Sequence, residues 1–285
     1  MKTILITGIN GFLGSNLAER LNSNFEIIGL ENSLENLFRL KDTFYKVYSS
    51  QYGKLEEVFK ENRIDIIIHT ATVYGRNTEG LQQIIETNFN FPSRLLDIAI
   101  KNKVSLFMNT DSALDRFVSP YALTKSQFRE WLVFRKDEIK VMNLQLEHFY
   151  GPGCSSTNFI TSMINRLIIN ESRIDLTSGE QKRDFIYYED IIDAFEMLIN
   201  NREEIKESYK QFELGTGVQH SVKKVLLIMK KLTGSSSDLN FGAIPFRTNE
   251  MMVSKTDISD LINLGWKPKY TIEEGLEKTI KKLFR

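Results

Sequence analysis

Lys2-Thr3-Ile4-Leu5-Ile6-Thr7-Gly8-Ile9-Asn10-Gly11-Phe12-Leu13-Gly14 is the stretch whose reading decides the fold. Met1 to Thr7 is short, apolar and rich in β-branched residues, as a buried strand is, and it breaks at Gly8 into a turn with glycines at 8, 11 and 14. From Phe12 onward, Phe12, Leu13, Leu17, Ala18 and Leu21 fall on one helical face, and Phe25 to Leu30 forms a second apolar strand that ends at Glu31. Gly8 permits a tight turn, Gly11 admits backbone close to a pyrophosphate, and Gly14 lets the helix lie against the strand. The amides of the first helical turn then point at the phosphates. Glu31 stands where a carboxylate accepts hydrogen bonds from adenosine ribose hydroxyls. Three glycines alone describe any tight strand-to-helix turn. With strand, helix, second strand and terminal acid in order, dinucleotide binding becomes the expectation.

Outward from this unit, strand and helix patterns alternate: Tyr45 to Tyr48, a polar helix through Leu55 and Phe59, then Ile64 to Ala71. The run Ile66-Ile67-Ile68 is continuously apolar, as a parallel sheet covered on both faces requires. Right-handed βαβ connections follow. Leu81 to Asn102 is amphipathic and interrupted by Pro92, which leaves the Asn88 carbonyl without its helical donor and bends the helix. That carbonyl is expected to hold a water near Lys125 as a proton relay. Val104 to Met108 is the next buried strand, and it ends in Asn109-Thr110-Asp111-Ser112. His69 has two readings, a polar residue closing a buried strand or a group facing a ligand, and the first is preferred because no other ligand lies near it in the chain.

Pro120 is well placed to open a helix through Phe128, Trp131 and Leu132. Tyr121 and Lys125 are one turn apart on it and share a face. An ammonium near a phenol lowers its pKa, which makes Tyr121 a candidate proton donor to a carbonyl oxygen, with Thr110 supplying a second hydrogen bond to that oxygen. The plain alternative is an exposed helical pair.

Composition sets the bounds. A chain of 285 residues suits one α/β domain with a smaller appended lobe. Lys plus Arg equals Asp plus Glu at 37 each, which gives no electrostatic case for nucleic acid or an anionic membrane. The single Cys154 excludes an intramolecular disulfide and reads as an inert thiol; with no signal-like stretch before the first strand, a cytoplasmic protein is expected. No metal-ligand cluster is visible in the sequence, and no uncharged apolar run approaches a membrane span.

These residues resemble the extended short-chain dehydrogenase/reductase family of sugar-nucleotide epimerases, dehydratases and reductases. The motif TGxxGxxG at Thr7 to Gly14, His69 to Ala71, Asn88, Thr110, YxxxK at Tyr121 to Lys125 and Tyr150-Gly151-Pro152-Gly153 stand in family order. Thr177 to Ile186 and Leu264 to Pro268 continue the match. Phe107 to Ser112, Leu146 to Gly153, Gly179 to Ile186, and Phe241 to Ile244 with Arg247, Asn249 and Glu250 are similar to the subgroup of 4-ketoreductases of CDP-linked 3,6-dideoxyhexoses.

The resemblance implies a Rossmann doubly wound parallel sheet over residues 1–150, with 177–201 packing back on it, and a smaller α/β substrate lobe over 151–285. It implies NAD(P)H held by Gly8, Asn10, Gly11, Phe12, Leu13, Gly14, Glu31, Thr70, Ala71, Tyr121 and Lys125. Thr110, Tyr121, Lys125 and Asn88 would be catalytic. Tyr74, Asp111, Ser112, Glu147, His148, Arg183 and Arg247 would contact a nucleotide sugar, with the two arginines on its diphosphate. Glu31 would repel a 2′-phosphate and favours NAD(H), although Arg39 lies within reach and biosynthetic reduction of this kind generally favours NADP(H). A homodimer through the helices at 81–102 and 121–135 is expected by analogy.

Two features depart from the family: the segment between Thr110 and Tyr121 is short, and Glu31 is more acidic than the strand end of the resembled reductases. Alternatives are an epimerase or dehydratase that keeps NAD bound, and a non-catalytic dinucleotide-binding regulator. Thr110-Asp111 matches the dehydratases, but Ser112 replaces their glutamate base.

Overall fold

The structure is a computed structural model, described here for residues 1–40, 45–51, 53–76, 78–248 and 250–283. Asn249, part of the subgroup resemblance, lies outside the described residues. Its strands are β1 (Thr3–Thr7), β2 (Glu26–Glu31), β3 (Lys46–Ser49), β4 (Ile66–His69), β5 (Leu106–Ser112), β6 (Val141–Leu146), β7 (His148–Tyr150), β8 (Arg173–Leu176), β9 (Lys182–Tyr187), β10 (Tyr209–Leu214), β11 (Gln219–Ser221) and β12 (Asp238–Phe241). The helices are α1 (Phe12–Leu21), α2 (Leu55–Glu61), α3 (Leu81–Ile85), α4 (Phe91–Lys101), α5 (Pro120–Phe134), α6 (Phe159–Ile168), α7 (Tyr188–Asn200), α8 (Val222–Thr233), α9 (Ser259–Asn263) and α10 (Ile272–Leu283). Two compact units result, Met1–Gln145 with Phe195–Phe212, and Leu146–Ala194 with Glu213–Arg285.

The first unit is built on a seven-stranded sheet in the order β10-β6-β5-β4-β1-β2-β3. The neighbours β1/β2, β1/β4, β2/β3 and β4/β5 all run parallel. Successive strands step one way from β1 through β2 to β3 and the other way from β4 through β5 to β6, so the order reverses between β1 and β4. In a doubly wound sheet the crevice at that reversal, beyond the carboxyl ends of the strands, is where ligands bind.

Alternation of side chains splits each central strand between two faces. On one face Leu5, Ile28, Ile67 and Phe107 pack with Leu55 and Val58 of α2, Phe91 and Leu95 of α4, and Phe128 and Leu132 of α5. Ile4, Ile6, Ile66 and Ile68 are buried at the alternate positions. Helix α1 buries Leu13, Leu17, Ala18 and Leu21, and its Arg20 pairs with Glu196 in the C-terminal half of α7 at 3.1 Å.

Two elements differ from the sequence reading. Residues 209–214 were expected in the small lobe, but β10 is the edge strand of the main sheet, tied to it where the Val141 amide donates to the Ser208 carbonyl at 2.8 Å. Its half-buried pattern suits an edge, which local periodicity cannot distinguish from a strand of a smaller sheet. Between α3 and α4 the chain makes a π-helical turn, Glu86–Asn90, just before Pro92. Proline offers no N–H to the Asn88 carbonyl, and the helix accommodates this by taking up one extra residue.

The second unit holds a three-stranded sheet, with β9 antiparallel to β11 and parallel to β7, and a parallel pair of β8 and β12. Its core joins Tyr150, Ile164, Leu167, Phe185, Val225 and Leu276.

Candidate active site

Gly8 closes β1 with φ +65°, a conformation that side chains disfavour, and a Cβ there would meet the Ala71 backbone at 2.9 Å. A Cβ on Gly14 would press into the Gly8 carbonyl, so α1 lies as close to the loop as backbone allows. The N-cap of α1 is Gly11, and no side-chain oxygen caps the helix. Glu31 ends β2 with its carboxylate turned back to the loop: Oε2 accepts from the Asn10 amide at 3.0 Å and Oε1 from the Asn32 amide at 3.1 Å. Asn10 in turn receives the Arg39 amide on its Oδ1 at 3.0 Å, and the Arg39 guanidinium donates to the Asn10 carbonyl at 3.3 Å. Glycine loop, uncapped helix and carboxylate make a cradle whose chemistry fits a dinucleotide, with Asn10, Phe12 and Leu13 in the same turn.

The ends of β1, β4 and β5 are laced together beside that cradle. The Thr7 hydroxyl accepts the Thr70 and Ala71 amides, each at 3.2 Å, and so has one proton left to give His69 Nδ1 at 2.8 Å. His69 is therefore the neutral tautomer with its proton on Nε2. That atom is buried without a hydrogen-bond acceptor, and the imidazole ring sits among Phe91, Phe107 and Phe128 with ring centroids 5.9–6.3 Å apart. Burial holds the imidazole pKa well below its ordinary value, with the Lys125 charge adding to the effect. The preferred sequence reading, a polar residue closing a buried strand, describes this residue.

Thr110, Asp111 and Ser112 close β5. The Thr110 hydroxyl donates to the His69 carbonyl at 2.9 Å, and the Lys125 ammonium donates to the Thr110 carbonyl at 2.8 Å. Lys125 is 2% exposed; burial lowers its pKa to about 8, and the Asp111 carboxylate opposes that fall. Tyr121 keeps part of its ring exposed but is enclosed at its hydroxyl end. Burial drives the phenol well above its ordinary value, Tyr74 and the Asp111 carboxylate push the same way, and a Ser112 hydrogen bond and the Arg76 guanidinium oppose them. The expectation that the Tyr121 pKa is lowered is thus corrected, because desolvation outweighs the Arg76 charge. The Thr110 hydroxyl, expected to bond the substrate oxygen, donates here to the His69 carbonyl.

Asp111 was expected against the substrate and is instead sealed, 3% exposed. Its Oδ1 accepts from the Ser112 amide at 2.8 Å, and its Oδ2 accepts from Arg129 Nη1 at 3.0 Å and Asn143 Nδ2 at 2.9 Å. Arg129 also donates to Ser126 Oγ at 3.1 Å, and Asn109 Nδ2 donates to Asn143 Oδ1 at 2.7 Å. The side chain of Asn88, fully buried in the π turn, binds both polar groups of Val73 at 2.9 and 2.8 Å, accepts from Thr72 at 3.1 Å and reaches Thr124 at 3.4 Å. It anchors the loop after β4 to α5 one residue before Lys125. Tyr74, in that loop, packs on Tyr121 with centroids 4.9 Å apart, and Arg76 sits 4.5 Å over the Tyr74 ring.

Arg129 could have been found in the sequence, because 121, 125 and 129 follow one helical stripe. Asn143 and Arg76 carry no local signal; the sheet and the loop bring them in.

The remaining candidates lie in the second unit. Glu147 is 5% exposed and accepts from Ser254, from Thr256 at 3.1 Å and from His148 Nδ1 at 3.2 Å. Its carboxyl pKa is lowered: burial raises it, but the bonds from His148 and Ser254 win. Arg183, expected on a diphosphate, is corrected: it is 8% exposed, paired with Glu250, and donates to the Lys182 carbonyl at 2.8 Å. Arg247 is exposed in the loop after β12. Among the described residues no group of histidines, cysteines and carboxylates could hold a metal ion, and no helix is long and apolar enough to cross a membrane.

Residues 4–215 match the model of the NAD dependent epimerase/dehydratase family. The chain is 33% identical to CDP-abequose synthase of Salmonella typhimurium (98% of both chains) and 31% identical to that of Salmonella muenchen (98% of this chain, 97% of the other). Its fold is similar to that of the UDP-glucose 4-epimerase of Thermus thermophilus in complex with NAD, with a TM-score of 0.86, 19% identity and 99% of each chain covered. With the glycine loop, Tyr121 and Lys125 in place on this sheet, the chain belongs to the NAD-dependent epimerase/dehydratase family of extended short-chain dehydrogenases/reductases.

Proposed function

We propose that this protein reduces a 4-keto nucleotide-activated deoxysugar, of the CDP-4-keto-3,6-dideoxyhexose kind, in the biosynthesis of a surface-polysaccharide sugar. The observation that carries the reading is Tyr121 one turn from the buried Lys125 on α5, beside the end of β5, in a chain 33% identical to CDP-abequose synthase over nearly its whole length. The first unit would hold the dinucleotide on Gly8, Gly11, Gly14 and Glu31. When bound, the reduced dinucleotide supplies hydride to the keto carbon.

The residues do the rest. A phenol whose pKa is pushed up keeps its proton at neutral pH, so Tyr121 Oη is loaded to protonate the substrate oxygen. Lys125 is held in a fixed place, one turn of α5 from Tyr121, by its bond to the Thr110 carbonyl. Asp111 is buried and ion-paired with Arg129, and Ser112 stands where the dehydratases have their glutamate base, which weighs against the dehydratase reading. The Glu31 carboxylate favours NAD(H), because a 2′-phosphate beside it would be repelled. A homodimer through α4 and α5 belongs to the same reading, supported by the exposed Trp131 and Phe134, which pack edge to face on the outside of α5.

Purified protein incubated with a panel of 4-keto nucleotide sugars and NADH or NADPH tests the function. Net loss of reduced-cofactor absorbance is expected, faster with NADH. Isomer formation without cofactor loss would make the chain an epimerase, and inertness toward the whole panel would remove the enzymatic reading.

A further inference from the structure

We propose that Tyr74 and Arg76, on the loop after β4, are positioning residues that hold the ring of Tyr121 where its hydroxyl must meet the substrate oxygen. The inference rests on the ketoreductase reading and gives these two residues a place in it.

A side chain on a helix leans back over the turn that precedes it and packs there. Tyr121 is the second residue of α5, so no helical turn precedes it, and its ring takes support from another element. That element is the loop after β4. The Tyr74 ring lies against the Tyr121 ring with centroids 4.9 Å apart and planes tilted by 39°, and the Arg76 guanidinium sits 4.5 Å over the centre of the Tyr74 ring. These spacings are those of an aromatic pair and of a cation on a ring face. Each contact is weak, so their direction comes from the backbone that carries them.

That backbone is fixed on both sides of Tyr74. Before it, the fully buried Asn88 side chain accepts the Val73 amide at 2.9 Å and donates to the Val73 carbonyl at 2.8 Å. After it, Gly75 turns the chain with φ +67°, a conformation that favours glycine, and a Cβ there would meet Ile84 Cδ1 of α3 at 2.7 Å. The turn brings Arg76 back over the Tyr74 ring. Proton transfer depends on where the phenol oxygen stands, and a displacement of about 1 Å can cost on the order of a hundredfold in rate. The stacked ring also keeps water from one side of Tyr121, in line with burial as the chief cause of its raised pKa. A ring is enough for this role, whereas a hydrogen bond to the sugar would need the Tyr74 hydroxyl.

Two measurements on the full chain test this: reduction of a CDP-linked 4-keto-3,6-dideoxyhexose, and the NMR ring resonances of Tyr121 in protein carrying 13C-labelled tyrosine, assigned by their loss in Tyr121→Phe. Tyr74→Leu should move those resonances, lower kcat by about tenfold to a hundredfold, and leave the sugar KM and the dinucleotide Kd nearly unchanged. Tyr74→Phe keeps the ring and should restore most of kcat. Arg76→Gln should move the resonances and lower kcat less than Tyr74→Leu does. Resonances that Tyr74→Leu leaves in place overturn the proposal, whether or not any sugar is reduced. Moved resonances with kcat intact overturn the positioning role, and so does a Tyr74→Phe protein that keeps the resonances but loses affinity for the sugar, which would make Tyr74 a substrate contact through its hydroxyl. Wild-type protein inert toward every ketosugar would defeat the reductase reading, and resonances moved by Tyr74→Leu would still uphold the hold of Tyr74 on Tyr121.

Discussion

Helices α1 and α5 of the first unit begin in opposite ways. α5 is closed by its own sequence: Ser119 caps it by accepting the Ala122 amide at 3.2 Å, and Pro120 fills the first turn. α1 starts on Gly11 with no side-chain cap, on a loop where Gly14 allows no side chain. A self-capped start fixes what it carries, here Tyr121 and Lys125. A start without a cap leaves its positive end to whatever anion arrives. One helix presents chemistry and the other receives a ligand.

The largest test of that contrast is Tyr121→Phe, which deletes the donor and keeps the ring. Turnover should fall by about a hundredfold to ten-thousandfold while the Kd for the dinucleotide, measured by calorimetry, stays nearly unchanged. Equal losses in both would merge the two helices into one role.

Next is the charge that α5 buries. Lys125 titrates at about 8 in the fold and near 10.4 when unfolded. Below pH 8 both states carry the proton and its burial costs a constant amount; from 8 to about 10.4 the unfolded chain holds more protons, so this group makes the fold more stable as pH rises. Urea unfolding of wild type against Lys125→Met should show that relative gain, up to about 3 kcal/mol. A flat difference would mean the ammonium is solvated.

The smallest effects separate the two starts directly. Gly14→Ala should destabilise by about 1–3 kcal/mol through overpacking and weaken dinucleotide binding as well. Ser119→Ala should cost about 0.5–2 kcal/mol through the lost cap and leave the dinucleotide Kd alone. Both are read by thermal unfolding and cofactor titration, and the contrast fails if Ser119→Ala weakens binding as much as Gly14→Ala does.

The α1 side of this contrast was readable in the chain because its logic is local. A strand, three spaced glycines, a helical stripe and a terminal acid lie within about thirty residues, and Tyr121 and Lys125 are one helical turn apart. What escaped reading depends on elements far apart in sequence. Asp111 resembles a substrate-facing acid until Arg129, eighteen residues on, and Asn143, on the next strand, are placed against it. Thr110 resembles a free hydroxyl until β4 lies beside β5 and offers the His69 carbonyl. Arg183 took its partner from 67 positions away, in Glu250. Periodicity predicts which face a residue occupies but not who already occupies its hydrogen bonds.

The π-helical turn at Glu86–Asn90 has a geometric consequence for the loop beyond β4. Each residue advances an α-helix by about 100° of rotation, so the extra residue acts as a phase shift between α3 and α4. Deleting one residue there would let the helix run in ordinary register and turn everything upstream of Pro92 by about a quarter of a circle. Asn88 would then swing away from Val73 and Thr124, and the loop bearing Tyr74 and Arg76 would lose its buried anchor. The site's aromatic lip is thus timed by a single surplus residue in the helix behind it.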